Sequence, residues 1–425
     1  MLRLLYSLLL YLALPLVLLR LWRRGRQNPA YRQRWGERLG RFPAPTFAVA
    51  PIWLHAVSVG EVMAAAPLIR ALRARYPDCP LVVTTTTPTG SDRLRALCGA
   101  DVFHVYLPYD LPGAVRRFLG NIRPRLAVIL ETELWPNLFH HCAKRRIPLV
   151  IANARLSPRS AAGYARLASL VRTTLAKVSL IAAQGEGDAE RFQALGADPG
   201  RLQVMGNLKF DQALAEDLPT RAQALRQQLG ATRPVWVAGS THEGEDEQVL
   251  AAFAQLRRSL PEALLVLVPR HPERFNKVAA LVEQRGLSLA RRSRQQPCTA
   301  DTAVYLGDTL GELPLFYAAA DLAFVGGSLV ATGGHNLLEP AAVGVPVLCG
   351  PHLFNFQEIG QALLEAGAVR KVMDEAELAL LAEKLLRDGE KRASMGEAGR
   401  ALVADNRGAL ERLLSLLGPY LPPRP

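Results

Sequence analysis

The sequence predicts an α/β protein made of two doubly wound domains, each a parallel sheet covered by helices. From residue 51 onward, short β-rich runs alternate with helical segments such as "EVMAAAPLIRALRARY" and "DEQVLAAFAQLRRSL". The runs are apolar almost throughout rather than at every second position, as strands buried on both faces require. They also fall into two sets joined near residues 207–232, and 425 residues is long for one core.

The chain opens with "LLYSLLLYLALPLVLL", residues 4–19, which carries no charge and is followed by Arg20, Arg23, Arg24 and Arg26. A cleaved signal peptide has its positive charge ahead of the apolar stretch and a small-residue site behind it. Here only Arg3 precedes and arginines follow, so residues 1–22 read as a signal-anchor. Leu21 and Trp22, with snorkelling arginines, extend a segment shorter than the roughly 20 residues a bilayer needs. Pro15 leaves open whether it spans or lies in one leaflet. The positive-inside rule leaves the body of the protein in the cytoplasm. Between Arg20 and Arg41 there are eight arginines and one acid, Glu37. Such a run attracts phospholipid headgroups at about 1 kcal/mol per charge.

The first set of runs, "PIWLHAV", "LVVTTTT", "VFHVYLP", "RLAVILET", "PLVIANA", "SLIAAQ" and "RLQVMGN", defines a domain over 23–210. The second set, "PVWVAGS", "LLVLVPR", "TAVYLGD", "LAFVGGS", "VPVLCGP" and "AVRKV", defines one over 211–425. The helical end, with "ALERLLSLLGPYL", is expected to pack across the junction, and "PPRP" to form a loose tail. Ligands of open α/β sheets sit beyond the carboxyl ends of the strands. The residues just after each run are therefore the informative ones.

Four of these junctions place a small polar residue three positions before a glutamate: Ser58–Glu61, Ser240–Glu243, Thr309–Glu312 and Asn336–Glu339. Each reads as a capping box, and equally as a carboxylate presented at a ligand site. Gly326, Gly327, Gly333 and Gly334 are expected to leave N–H groups open to phosphate, and Glu339 suits a ribose diol. Lys209, Arg270 and His271 are candidate phosphate contacts. In "ILETELWPN", Glu131 and Glu133 bracket a strand end, and in "HAVSVGE" the helix start favours an ionised Glu61, a candidate general base. Gly60 allows close approach of a substrate.

Other classes are less well served. Five scattered cysteines without CxxC oppose a disulfide framework or zinc site. His140, His141 and His352 lack ligand-like spacing and no DxD occurs, so no metal site is read. There is no GxGxxG and no P-loop. The net charge of +13 calls for an anionic partner, but no recognised nucleic-acid motif accompanies it. A nucleotide-sugar transferase, an epimerase of the same architecture and a non-catalytic nucleotide binder remain open at this point.

The ordered blocks "RWGERLG", "HAVSVGE", "TTTTPTGSDR", "VYLPYDLP", "ETELWPN", "IANARLS", "GNLKFD", "STHEGE", "VPRHPERF", "FVGGSL", "GGHNLLEPA" and "GPHLFNF" resemble the 3-deoxy-D-manno-octulosonic acid (Kdo) transferases of lipopolysaccharide assembly over nearly the whole chain. The resemblance implies two facing Rossmann-like domains of GT-B architecture with an N-terminal membrane anchor. It implies an inverting, metal-independent transferase without a cofactor, using CMP-Kdo as donor and a tetraacylated, bisphosphorylated lipid A precursor as acceptor. One or more Kdo residues would be added in succession. It assigns Glu61 as base and Glu131 and Lys209 as transition-state support. CMP contacts fall on Pro269, Arg270, Leu310, Gly311, Glu312, Asn336, Leu337, Leu338 and Glu339.

Overall fold

The structure, a computed structural model, describes residues 2–26, 28–211 and 214–422. Met1, residues 212–213 beside the expected boundary and the last three residues of the "PPRP" tail lie outside the described residues. The chain divides into two compact units, Met1–Gln212 with Asn406–Pro425, and Ala213–Asp405.

In the first unit the described strands are β1 (Ile52–His55), β2 (Leu81–Thr85), β3 (Phe103–Tyr106), β4 (Leu126–Leu130), β5 (Leu149–Ala154), β6 (Leu180–Ala183) and β7 (Leu202–Val204). All pair in parallel, in the order β3-β2-β1-β4-β5-β6-β7. The apolar runs are accounted for by two cores, one on each face. One holds Leu54, Val83, Val128 and Ala152, and the other Trp53, Val82, Ile129 and Ile151. Neighbouring residues of one strand thus point into different cores, which leaves few positions facing solvent along it. The pairing of β5 with β6 shifts register between Ile151 and Ala154, around the left-handed Asn153 (φ 52°).

The second unit holds β8 (Val235–Thr241), β9 (Leu264–Pro269), β10 (Leu289–Arg291), β11 (Val304–Leu306), β12 (Leu322–Val325), β13 (Val347–Cys349) and β14 (Val369–Lys371). They too are parallel, in the order β10-β11-β9-β8-β12-β13-β14. Strand β10 is absent from the sequence-based reading. It is a three-residue edge strand, "LAR", with one fully buried side chain, so it has no apolar run to betray it. A second irregularity occurs in β8, where Ser240 has φ 58° and the register with β9 shifts between Gly239 and Thr241.

From Asn406 onward the chain belongs to the first unit. Helix Ala409–Leu417 sinks Ala409, Leu413, Leu414 and Leu417 among Leu68, Leu72, Met205 and Leu208. Asp211 fastens its start, accepting hydrogen bonds from the Gly408 and Leu410 N–H groups, each at 2.6 Å. Arg412 donates to the Met205 carbonyl at 2.6 Å.

The first helix, Leu2–Arg24, runs through Pro15 and is long and apolar enough to cross a membrane. One edge of it is polar and docked. Arg3 and Ser7 donate to the Asn137 side-chain oxygen at 2.8 and 3.1 Å. Asp110 in turn accepts from the Asn137 and Leu138 N–H groups at 2.9 and 2.7 Å, capping helix Pro136–Lys144. Leu4, Leu5, Leu8, Leu9, Leu12 and Leu16 are exposed. The arginine run behind the helix is not uniformly available to lipid. Arg34 pairs with Glu37 at 2.7 Å, and the Arg34 and Arg38 guanidinium groups both lie against the Tyr106 ring, at 4.4 and 4.3 Å. Arg38 is buried and donates to the Thr86 carbonyl. These two arginines belong to the fold of the first unit.

Replacing Asp211 with Ala removes two charge-assisted hydrogen bonds at a helix start. We expect a loss of about 1–3 kcal/mol in the unfolding free energy of the first unit. Denaturant melts of the full chain check this, with faster amide exchange at Gly408 and Leu410 as the local signature.

Candidate active site

In the first unit the candidate residues are brought together at the carboxyl ends of β1, β4 and β5. Glu61 stands in the first turn of helix Val59–Arg75 and folds back over its own N-terminus. Its carboxylate accepts the Val57 N–H at 2.7 Å and the Ser58 hydroxyl at 3.3 Å. This is half a capping box, since the Ser58 side chain makes no bond to the helix backbone. A Cβ on Gly60 would meet only the Ser58 hydroxyl, at 3.8 Å, so the helix start is open to an approaching molecule. Gly90 is more constrained. A Cβ there would press on Thr87 at 2.9 Å and on the Ser58 backbone at 3.4 Å, so glycine lets helix Pro88–Cys98 close against this loop.

The expectation of an ionised Glu61 is overturned by its surroundings. Burial, opposed by the Val57 N–H and reinforced by the charges of Glu131 and Glu133, raises its pKa to about 8. Desolvation here outweighs the favourable helix start. Glu133 is raised to about 7, again by burial first, with the Glu131 charge adding to it. Glu131 and Glu133 therefore both act on Glu61. Glu131 takes the left-handed conformation, φ 56°, at the end of β4, which is costly for a side chain of this kind and typical of functional positions.

Lys209 supplies the counter-charge, its ammonium 3.7 Å from the Glu131 carboxylate. It lies in the short 3-10 turn Leu208–Asp211, and the β5 irregularity positions that turn. Asn153 accepts the Leu208 N–H at 3.0 Å, and Asn207 accepts the Lys209 N–H at 3.0 Å. Asn153 sits within "IANARLS", but nothing in its spacing distinguishes it as the residue that seats Lys209.

In the second unit, Arg270 follows Pro269 at the end of β9. Its N–H bonds the Thr241 carbonyl at 3.0 Å, so the β8 irregularity fixes where it emerges. Its guanidinium is exposed, with no side-chain partner among the described residues. Its charge acts on His335 and on Glu339. Glu339 is raised by burial, against an Asn336 hydrogen bond and the Arg270 charge. The Asn336 side chain accepts the Leu338 N–H at 3.1 Å and donates to Glu339 at 3.2 Å. Leu337 and Leu338 are buried and can offer a ligand only their main chain. The helix that follows is short, Leu338–Ala342. Leu310 is fully open to solvent and Gly311 has φ 83°. Glu312 is held by both Arg292 nitrogens, at 3.0 and 2.7 Å, and by the Thr309 hydroxyl, at 2.5 Å. The Arg292 hydrogen bonds keep its carboxyl below the ordinary range. Arg292 was not anticipated, because it lies in a polar stretch after the missed strand β10.

Two further expectations fail. Ser240–Glu243 is not a cap: Ser240 lies within β8, and Glu243 is exposed and pairs with Lys277. At Gly326, Gly327 and Gly334 the glycine N–H groups are not open to phosphate either, that of Gly334 bonding the Gly327 carbonyl. Glu245, fully buried, accepts the N–H groups of Gly327, Ser328 and Leu329 at 2.7, 3.0 and 2.9 Å, together with that of His242 at 3.1 Å. The Gly326 N–H is taken by the Gly239 carbonyl. A side chain of the protein occupies the anion position that the glycines create. Among the described residues, no three His, Cys, Asp or Glu side chains form a metal-holding group.

Residues 33–212 match the family model described as 3-deoxy-D-manno-octulosonic-acid transferase, and residues 241–402 match glycosyl transferases group 1. The chain is 45% identical to the 3-deoxy-D-manno-octulosonic acid transferase of Haemophilus influenzae, covering 99% of each chain. It is 39% identical to that of Bordetella pertussis, over 98% of this chain and 99% of the relative. Among solved structures, a putative UDP-N-acetylglucosamine 2-epimerase from Listeria monocytogenes aligns with TM-score 0.54 at 16% identity, over 89% of this chain and 99% of that one. That likeness concerns the fold alone, two α/β domains of the GT-B kind.

Substituting Gln for Glu245 keeps the shape but turns an amide hydrogen pair toward N–H donors. The second unit should lose about 2–4 kcal/mol of stability, read from melting curves, with faster hydrogen exchange at Gly327, Ser328 and Leu329. Exchange rates unchanged at those amides would refute the anchoring role.

Proposed function

The chain belongs to the 3-deoxy-D-manno-octulosonic acid transferase family, and from that premise we propose that it transfers Kdo from CMP-Kdo to a tetraacylated, bisphosphorylated lipid A precursor, with inversion and without a metal. The observation that carries the mechanism is the half-buried Glu61 carboxyl, set against the Val57 N–H with Glu131 and Glu133 acting on it and Lys209 beside Glu131. A carboxyl whose pKa lies near the working pH is matched to taking a proton in the transition state. Glu61 accepts the proton of the acceptor hydroxyl as that oxygen bonds to the anomeric carbon of Kdo. The bond from that carbon to the CMP phosphate breaks, and its electron pair leaves on the phosphate. Lys209, with Glu131 holding its ammonium, supports the charge that develops.

The second unit would carry the donor. Arg270, unpaired and exposed after Pro269, suits the phosphate. Glu339 and Asn336, with the main chain of Leu337 and Leu338, suit the nucleoside, with Leu310, Gly311 and Glu312 completing the CMP site. Glu312 would meet the ligand already bound to Arg292, as a fixed acceptor. The apolar helix Leu2–Arg24 and the arginines after it support association with phospholipid, and the location proposed is the cytoplasmic face of the inner membrane. An acceptor with acyl chains and two phosphates resides on such a surface. One or more Kdo residues would be added in succession.

The direct test is to incubate the purified chain with CMP-Kdo and the lipid A precursor and count added sugars by mass spectrometry, with and without EDTA. Product formation that stops on chelation would overturn the metal-free reading. Glu61→Ala is expected to lower turnover by roughly 10²–10⁴ while CMP still binds. Because the base acts deprotonated and its pKa is raised to about 8, kcat/KM should climb with pH and level off above about 8. Glu133→Gln removes one of the charges that raise Glu61 and should move that limb to lower pH. Stability should run the opposite way. A carboxyl raised from 4.5 to about 8 favours the folded state at low pH, and this contribution is lost as pH rises through that window. Glu61→Gln should therefore melt higher than the parent chain at alkaline pH.

A further inference from the structure

Histidines 242, 271 and 335 converge beside Arg270, and the mechanism above uses none of them. His242 follows β8, His271 follows β9, and His335 directly precedes Asn336. The His242 and His335 Nε2 atoms are 2.8 Å apart, while the ring centroids are 5.0 Å apart with planes 7° from parallel. Nitrogens so much closer than the ring centres must point at each other, so this is an in-plane imidazole–imidazole hydrogen bond. His271 stands edge-on to His242 at 5.3 Å. The pair is set in place by its backbone. The His242 N–H is held by Glu245, and the His335 ring abuts Gly327, where a Cβ would lie 2.9 Å from it.

An imidazole–imidazole hydrogen bond needs one ring to donate at Nε2 and the other to accept there. In the neutral pair the accepting ring carries its hydrogen on Nδ1, and the donating ring has a bare Nδ1. Neither Nδ1 has a hydrogen-bond partner among the described residues. One added proton leaves the shared bond intact and makes both outer nitrogens donors, which is the arrangement an anion requires. The groups facing His242 are His271, Arg270 and Arg274, and those facing His335 are Arg270, His242 and His271. The acids nearby are engaged: Glu245 by four N–H groups, Asp246 by Thr241 and Arg274, Glu243 by Lys277, and Glu339 by Asn336.

We propose that His242 and His335 are a proton-accepting pair, uncharged in the free protein, that takes up one proton from solvent when a nucleoside monophosphate donor binds, so that an imidazolium joins Arg270 at the leaving phosphate. This rests on the placement of the donor phosphate at Arg270. Burial first, followed by the Arg270 charge at His335 and by His271 and then the arginines at His242, holds His335 near 3 and His242 below its ordinary value, so the empty pair is neutral. A phosphate brings the negative charge that reverses this balance. The pair is then a positioning and charge-supplying element for departure of the nucleotide.

Calorimetric titration of the full chain in detergent with CMP, near pH 7 in buffers of differing ionisation enthalpy, reads the proton directly. Uptake of about one proton per CMP is expected, falling to none with cytidine and in the His242→Gln/His335→Gln double variant. Nitrogen-15 spectra of labelled histidine in the unmodified chain give the same answer without mutation, two ring signals moving to imidazolium positions on adding CMP. CMP binding without proton uptake, uptake undiminished in the double variant, or uptake driven by cytidine would each overturn the proposal while leaving the donor site standing. No CMP binding at all would overturn the donor site and this inference together.

Discussion

A parallel strand can be followed in its sheet only by a crossover, and that constraint organises the chemistry of this chain. Every described strand of both sheets pairs in parallel, so each loop that leaves a carboxyl end leaves on the same rim of its own sheet. Along that rim the backbone presents polar groups that no ladder satisfies. The protein answers with carboxylates. Glu61 takes the N–H at Val57, Asp110 those of Asn137 and Leu138, and Glu245 those of the glycine turn. What differs among them is access and company, and that difference separates the enclosed acids from the candidate catalytic one. Asp110 and Glu245 are enclosed and fully used as acceptors. Glu61 has two more carboxylates acting on it and an open helix start beside it.

Where the strands depart from regularity, the candidate residues appear. The left-handed positions Glu131, Asn153 and Ser240 all lie at carboxyl ends of strands. Asn153 turns an amide oxygen toward the segment that carries Lys209, and Ser240 shifts β8 so that the Thr241 carbonyl meets Arg270. Such conformations persist only where surrounding packing enforces them. Here the enforcing packing is the two apolar cores of the first unit's sheet and a further core around Trp236 and Phe253 in the second unit.

Much of this was legible in the residues. Uninterrupted apolar runs such as "LAVIL" and "LLVLV" announce buried parallel strands without ambiguity, and the strand-end positions of Glu61, Lys209 and Arg270 follow from them. Strand β10 was not legible because three residues at a sheet edge need no apolar pattern. The role of Glu245 was hidden by a better-looking spacing, Ser240–Glu243, in the same six residues. Spacing reports what a helix start can use, whereas Glu245 serves a turn eighty residues away in the sequence. The protonation of Glu61 was misread for a related reason. A helix start is a local property, but burial and the convergence of Glu131 and Glu133 are tertiary ones, and here they prevail. Arg292 and the histidine pair belong to the same class, since their partners come from distant loops.

Asp211 ties the segment bearing Lys209 to Gly408 and Leu410. The ribosome delivers a chain from its N-terminus, and domains ordinarily fold as they emerge. Residues 52–204 can form their sheet early, and Asn153 and Asn207 already hold Leu208 and Lys209, but the Gly408 and Leu410 groups that fasten Asp211 are synthesised almost at the end, after the whole second unit. The first unit is therefore the first to begin folding and the last to be finished. The last fastening of the segment that bears Lys209 therefore waits until translation is all but complete.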